Sequence, residues 1–324
     1  MKANKILSTT LLAGALLMAM SCCKDGDDVI DDGIIPPTSA EFKQVFTDAL
    51  NDIIQTKTFK AEDGIDFTSK KGVDFFVSPN SMFLDGNLVT GDVTFEFIEL
   101  YKRGEMLVVN KPLMGTASNG SKGPMITGGQ FYINISQNGK DIEANYHMTV
   151  PEENTGKINN GMTLWEGAAR GDGDMVWNEV DISKEAGGIQ RGANCYNVWG
   201  CLFKWINIDI LFSLDGPKAQ VWVKVPDGFD NKNCSVYVVY KDQPGALAFM
   251  DVWDTSKKMF TEHYGLAPIG MNFYVIFIST QAEGKYIYSY KDVTVEANKE
   301  ITFEMSDLNF IDKDTLIALI NNLK

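Results

Sequence analysis

Between about residue 57 and residue 306 apolar side chains recur at every second position, and this period leaves a chain few options. In "GDVTFEFIELY" Val93, Phe95 and Phe97 alternate with Thr94 and Glu96, and in "GGQFYINIS" Phe131, Ile133 and Ile135 alternate with Tyr132 and Asn134. Val221, Val223 and Val225 repeat the pattern, as do Ile301, Phe303 and Met305 after the turn "ANKE". Alternation of this kind gives a strand one apolar and one polar face. "NGK" at 138–140 reads as a hairpin turn. Many short strands with frequent glycine predict stacked antiparallel sheets rather than a parallel α/β sheet.

Helical spacing occurs at the two ends. Thr38 followed by Glu41 makes a capping box, after which Phe42, Val45, Phe46, Ala49, Leu50, Ile53 and Ile54 predict an amphipathic helix within 38–56. Leu316, Ile317, Leu319, Ile320 and Leu323 predict another within 307–324. The expected fold is mainly β: two β-sandwich domains, 57–185 and 195–306, with a short amphipathic helix near each end. The boundary is placed in the polar, glycine-rich stretch "ISKEAGGIQRGAN" at 182–194. No repeat of solenoid length is present.

Residues 1–21 predict a secretory leader: Lys2 and Lys5, an apolar run from Ile6 to Met20, then the small residue Ser21. Ala19-Met20-Ser21-Cys22 resembles a bacterial lipobox, which makes Cys22 the expected lipidation site, diacylated on sulfur, and membrane the first partner through that N-terminal lipid. Residues 22–37 read as an acidic tether, and Lys24-Asp25-Gly26-Asp27-Asp28 resembles the signal that exports Bacteroidetes lipoproteins to the outer face of the outer membrane. Without Lys2 and Lys5 the chain carries 27 basic against 43 acidic side chains, a formal charge of −16, which argues against nucleic acid as a partner. In such a compartment Cys195, Cys201 and Cys234 can form one disulfide, Cys195 with Cys201 or Cys201 with Cys234, or remain small buried groups.

Two longer stretches resemble known modules. The order "GNLVTGDV" at 86–93, "KRGEM" at 102–106, "TGG" at 127–129 and "MTLWEG" at 162–167 resembles a block of Bacteroidetes cell-surface lipoproteins and is loosely similar to the ZU5 type of β domain. "VKVPDGF" at 223–229, "PIGMNFYVIFIS" at 268–279 and "GKYIYSYKDVTVEANKEITFEM" at 284–305 resemble small immunoglobulin-like or transthyretin-like modules of the same class. The resemblance implies adhesion or binding and supplies no catalytic residue.

The residues agree with that class. His147 and His263 have no accompanying nucleophile motif, and no zinc spacing occurs, so an enzyme is not expected and no cofactor or metal is assigned. "GDGDMVWNE" at 171–179 and "PDGFDNKN" at 226–233 bring oxygen atoms together as calcium loops do, yet read as acidic turns. Tyr286, Tyr288 and Tyr290 alternate along one strand, so their rings emerge on one face, suited to stacking on sugars or to cross-strand packing. Trp222, opposite the valine face, is the tryptophan expected on a binding surface, whereas Trp199 and Trp205 in "CYNVWGCLFKWINIDILF" are expected in a core or between domains. Asp314-Thr315-Leu316 resembles the Bacteroidetes O-glycosylation pattern at Thr315, a residue also placed to start the final helix. The expected function is non-enzymatic binding or adhesion at the outer-membrane surface, with glycan or protein as ligand. The competing expectation is a structural or accessory subunit of an outer-membrane complex.

Overall fold

Alternation is realised as strands over about half the chain: the computed structural model is 51% strand and 15% helix, mainly β. It describes residues 33–169, 175–182, 187–201, 203–212, 216–241, 243–263, 265, 267–281 and 284–324. Residues 34–324 form one unit.

The first sandwich pairs an eight-stranded with a six-stranded sheet. The eight-stranded path runs Gln55–Lys60, Asp92–Leu100, Lys122–Gln137, Lys204–Leu211, Thr163–Ala169, Met175–Glu179, Met114–Thr116. The six-stranded path runs Gly188–Arg191, Cys195–Gly200, Glu143–Pro151, Asp74–Leu84, Ile65–Thr68. Their facing residues, among them Phe75, Phe95, Phe97, Phe131, Tyr146 and Val198, make the first core. Phe75 stacks on Phe95 with ring centroids 4.6 Å apart. The hairpin at 138–140 has the expected form: Asn138 and Gly139 have φ of 51° and 76°, as a two-residue turn between Gln137 and Lys140 requires.

The second sandwich pairs a five-stranded sheet, centred on Ser235–Tyr240, Asn272–Gln281 and Lys285–Thr294, with a four-stranded one containing Met259–Thr261, Trp222–Lys224 and Glu300–Thr302. Val221, Val223, Val225, Phe277, Ile287 and Phe303 lie in its core.

The expected boundary at 185–195 is wrong. Gly188–Arg191 and Cys195–Gly200 are neighbouring strands of the first sandwich, and Lys204–Leu211 sits inside its eight-stranded sheet. The second sandwich therefore begins near residue 218, not 195. The polar residues and glycines at 187–194 belong to an edge hairpin, where one side of the ladder faces water, and not to a linker.

A third core joins the two sandwiches. The first helix, Ser39–Ile53, contributes Phe42, Val45, Phe46 and Ala49, with Thr38 and Glu41 forming the expected capping box. The last helix is shorter than the predicted segment, Lys313–Asn322, because Asn309–Ile311 pairs as a strand with Tyr286–Tyr288. It contributes Leu316 and Ile320, and the middle helix, Arg103–Val108, adds Met106 and Leu107. These pack with Trp165 and Trp177 of the eight-stranded sheet and with Tyr237, Ile276, Ile278 and Tyr286 of the five-stranded sheet. Among the described residues no helix is long and apolar enough to cross a membrane.

Arg103 holds the last helix in place. Its guanidinium is buried, donates from Nε to the Ile320 carbonyl at 2.9 Å, and donates from Nη2 to the Leu323 carbonyl. Those carbonyls lie at the helix end, where no intrahelical donor remains. Gly104 permits the approach, since a Cβ there would stand 2.5 Å from the Ile317 carbonyl oxygen. Arg103→Ala is expected to lower stability by about 3 kcal/mol, from two charge-assisted hydrogen bonds lost. Amide exchange within 313–322 should then rise first, and unchanged exchange there would refute this anchoring role.

Candidate functional site

Cys22 lies outside the described residues, as do 171–174 of the first acidic stretch. In the second, Asp230 accepts from the Lys232 amide at 2.8 Å and Asn233 from the Asp230 amide at 2.9 Å, so both side chains fold the turn. Among the described residues no three His, Cys, Asp or Glu side chains gather into a potential metal site.

The tyrosine row does not form an exposed platform. Its three rings share a face, as the period requires, but that face points at the helical layer. Tyr286 is buried, with its hydroxyl 3.3 Å from the Val108 carbonyl and its pKa raised by burial. Tyr288 is half-buried against the same core, and Tyr290 alone of the three is exposed, edge-on to Tyr274 at 5.9 Å. Trp222 is also half-buried, and the Lys257 ammonium lies 3.4 Å from its ring centroid. Thr315 is exposed, and its amide and hydroxyl both donate to Asp312, at 2.9 and 2.6 Å, starting the last helix.

Of the alternatives for the three cysteines neither disulfide forms: Cys195, Cys201 and Cys234 are free, and only Cys234 is a buried group. Cys195 opens strand Cys195–Gly200 and Cys201 follows it, which separates them by roughly 20 Å of extended chain. Cys234 is buried in the second core, with its thiol donating to the Asp230 carbonyl at 3.2 Å.

The strongest candidate surface is the outer face of the six-stranded sheet. Register brings Phe76, His147 and Trp199 side by side on three adjacent strands. Phe76 is 41% exposed and Trp199 38%, and His147 between them is exposed. Two strand spacings separate the outer rings, roughly 10 Å. Gly188 follows Trp199 in the same row, and a Cβ on it would stand 3.0 Å from Cζ2 and 3.4 Å from Cη2 of the indole. The ring thus rests on glycine, held close to the sheet. Beside the aromatic row runs a polar one, Asp74, Thr149, Asn197 and Gln190, in which the Thr149 hydroxyl donates to Asn197 at 3.2 Å. Phe83 and Leu88, 41% and 47% exposed, pair at another corner of the sheet.

No family model matches the chain, and no curated protein sequence matches it.

Sequence reasoning missed this surface because the overall apolarity of the segment around Trp199 suggested burial. The local signal was present: Tyr196, Val198 and Gly200 point inward, so Asn197 and Trp199 point outward. Asn145, His147 and Thr149 alternate in the same way with Tyr146, Met148 and Val150.

A second polar group, Asp209, is fully buried and closed to ligands. The Asn207 amide donates to its Oδ2 at 2.6 Å, while Oδ1 has no partner. Burial therefore raises its pKa well above the usual carboxylate range. The folded state binds the proton more tightly than the unfolded chain, so the stability due to this group is complete below the unfolded pKa. It is lost as pH rises through the folded pKa. Asp209→Asn is expected to flatten the decline in stability from acidic to neutral pH and to be more stable than wild type above it. Urea midpoints at several pH values test this, and parallel wild-type and variant curves would refute it.

Proposed function

We propose that the chain is a non-enzymatic binding or adhesion protein of the outer-membrane surface, anchored through Cys22, whose ligand is a glycan held on the Phe76–His147–Trp199 row. The observation carrying this reading is the aromatic row itself. Flat rings stack on the apolar faces of sugars, and the adjoining amides, hydroxyl and carboxylate match their hydroxyl groups. An indole resting on glycine, and so pre-positioned, loses little freedom when a ligand settles on it. The leader, the lipobox-like run and the acidic tether support the placement at the cell surface.

The exposed corner of Phe83 and Leu88 favours a second reading, docking on a protein of the same membrane. Under it, Phe83→Asp would abolish co-purification with the partner complex, and polysaccharides would not bind.

Under the first reading, titration with neutral host and dietary polysaccharides should give binding that Trp199→Ala weakens by about tenfold or more, of the order of 1–3 kcal/mol for one stacked ring. Tyr288→Ala and Trp222→Ala should leave it unchanged. Equal binding by Trp199→Ala, or no binding at all, would refute the reading. Digestion by an external protease of intact cells tests the location: survival of the C-terminal region, while a known surface protein is cut, would overturn surface exposure.

A further inference from the structure

A cleft of about 490 Å³ opens between the first helix and the second sandwich, within the range of about 300–1,000 Å³ typical of small-ligand sites. Two elements far apart in sequence each bring a lysine to it, Lys43 from the first helix and Lys232 from the turn before Ser235–Tyr240, while Lys111 in the same lining carries its ammonium over the Trp205 ring, 5.2 Å from the centroid. Among the described residues neither Lys43 nor Lys232 has a carboxylate in ion-pair range. The acidic side chain in the lining, Asp251, is engaged by His263, with Nδ1 and Oδ2 2.5 Å apart. On a chain whose formal charge is −14 the cleft is thus a local reversal of sign. Its concave wall concentrates that field on a bound anion.

The remaining lining is suited to a ring. Phe46 and Phe249 contribute to an apolar floor. The Asn110 side-chain oxygen accepts from the Tyr237 hydroxyl at 2.7 Å, which fixes the carboxamide and leaves its nitrogen as a donor.

We infer that this cleft binds an acidic sugar, with its carboxylate or sulfate at Lys43 and Lys232 and its ring against the phenylalanine floor. The ligand class rests on the glycan reading above, but the residues are separate from the Phe76–His147–Trp199 row. The protein would then hold a mixed polysaccharide at two points, neutral units on the flat sheet and acidic units in the cleft. Two weak contacts on one chain reinforce each other through effective concentration.

Calorimetry on the full-length protein in detergent, with trigalacturonate, its methyl ester and a sulfated disaccharide as probes, tests the inference. At least one anionic probe should bind, with the methyl ester weaker by about tenfold or more. Binding should fall as salt rises. The double variant Lys43→Ala, Lys232→Ala should lose about tenfold, as two partly screened charge pairs predict, while Trp199→Ala should leave this binding unchanged. A response to trigalacturonate alone assigns a uronate, and to the disaccharide alone a sulfated sugar. The inference is overturned if neither anionic probe binds, if the ester binds equally, or if the lysine variant binds as wild type. Neutral polysaccharides that bind through Trp199 while both anions fail would remove the cleft alone, whereas failure of every probe removes both readings.

Discussion

The apolar layer between the two sandwiches decides what the rest of the molecule can present. The eight-stranded sheet is apolar on both faces near Trp165, Trp177 and Met125, and the five-stranded sheet likewise near Tyr237, Ile276 and Ile278. Burial of such surface contributes roughly 25 cal/mol for each Å², so neither sheet is stable with that face in water. Three helices fill the space between them, and Arg103 ties the last helix to the middle one through carbonyls that no amide of the helix can reach. With those faces covered, the outer faces of the six-stranded and four-stranded sheets are left to meet solvent. On the four-stranded sheet the half-buried Trp222 already carries Lys257 over its ring. The six-stranded sheet keeps Phe76 and Trp199 uncovered.

The same layer explains the distribution of polar groups. Thr127, Asn207 and Asp209 face it rather than the first core, and the Thr127 amide donates to the Gly245 carbonyl of the second sandwich at 3.2 Å. A short polar seam therefore runs through an otherwise apolar junction, and its incomplete pairing at Asp209 Oδ1 weakens the junction when that carboxyl ionises. The basic cleft opens at the margin of this junction, where Lys43 leaves the apolar layer for water. Lysine suits such a margin, since its methylene stem can lie along apolar surface while the ammonium stays hydrated.

Much of the fold was legible from local chemistry. The capping box at Thr38 and Glu41, the positive-φ pair Asn138-Gly139 and the alternating strands at 93–97 and 131–135 form where the sequence predicts, because each depends on residues within a few positions of one another. The alternation through Ile301 and Phe303, by contrast, stops short of Met305, which sits exposed in a 3-10 turn. The domain boundary was not legible, because an edge hairpin and a linker share a composition rich in glycine and polar residues. Strand Lys204–Leu211 lies between partners roughly 70–85 and 40–45 positions upstream, and no local signal specifies either pairing.

The candidate site shows the same limit more sharply. Alternation correctly assigned Tyr286, Tyr288 and Tyr290 to one side of a strand. Which side of a sheet is covered depends on the elements that pack against it, here helices drawn from residues 39–53 and 313–322. Trp199 illustrates the reverse case. Its segment is apolar enough for a core, yet Asn197 on the same face could not be buried without further partners, and Gly188 across the strand provides a seat where the indole lies close to the sheet while its other face meets water. An aromatic ring on an outer face gains little stability there. The binding role proposed for the row is one that uses the ring where it stands.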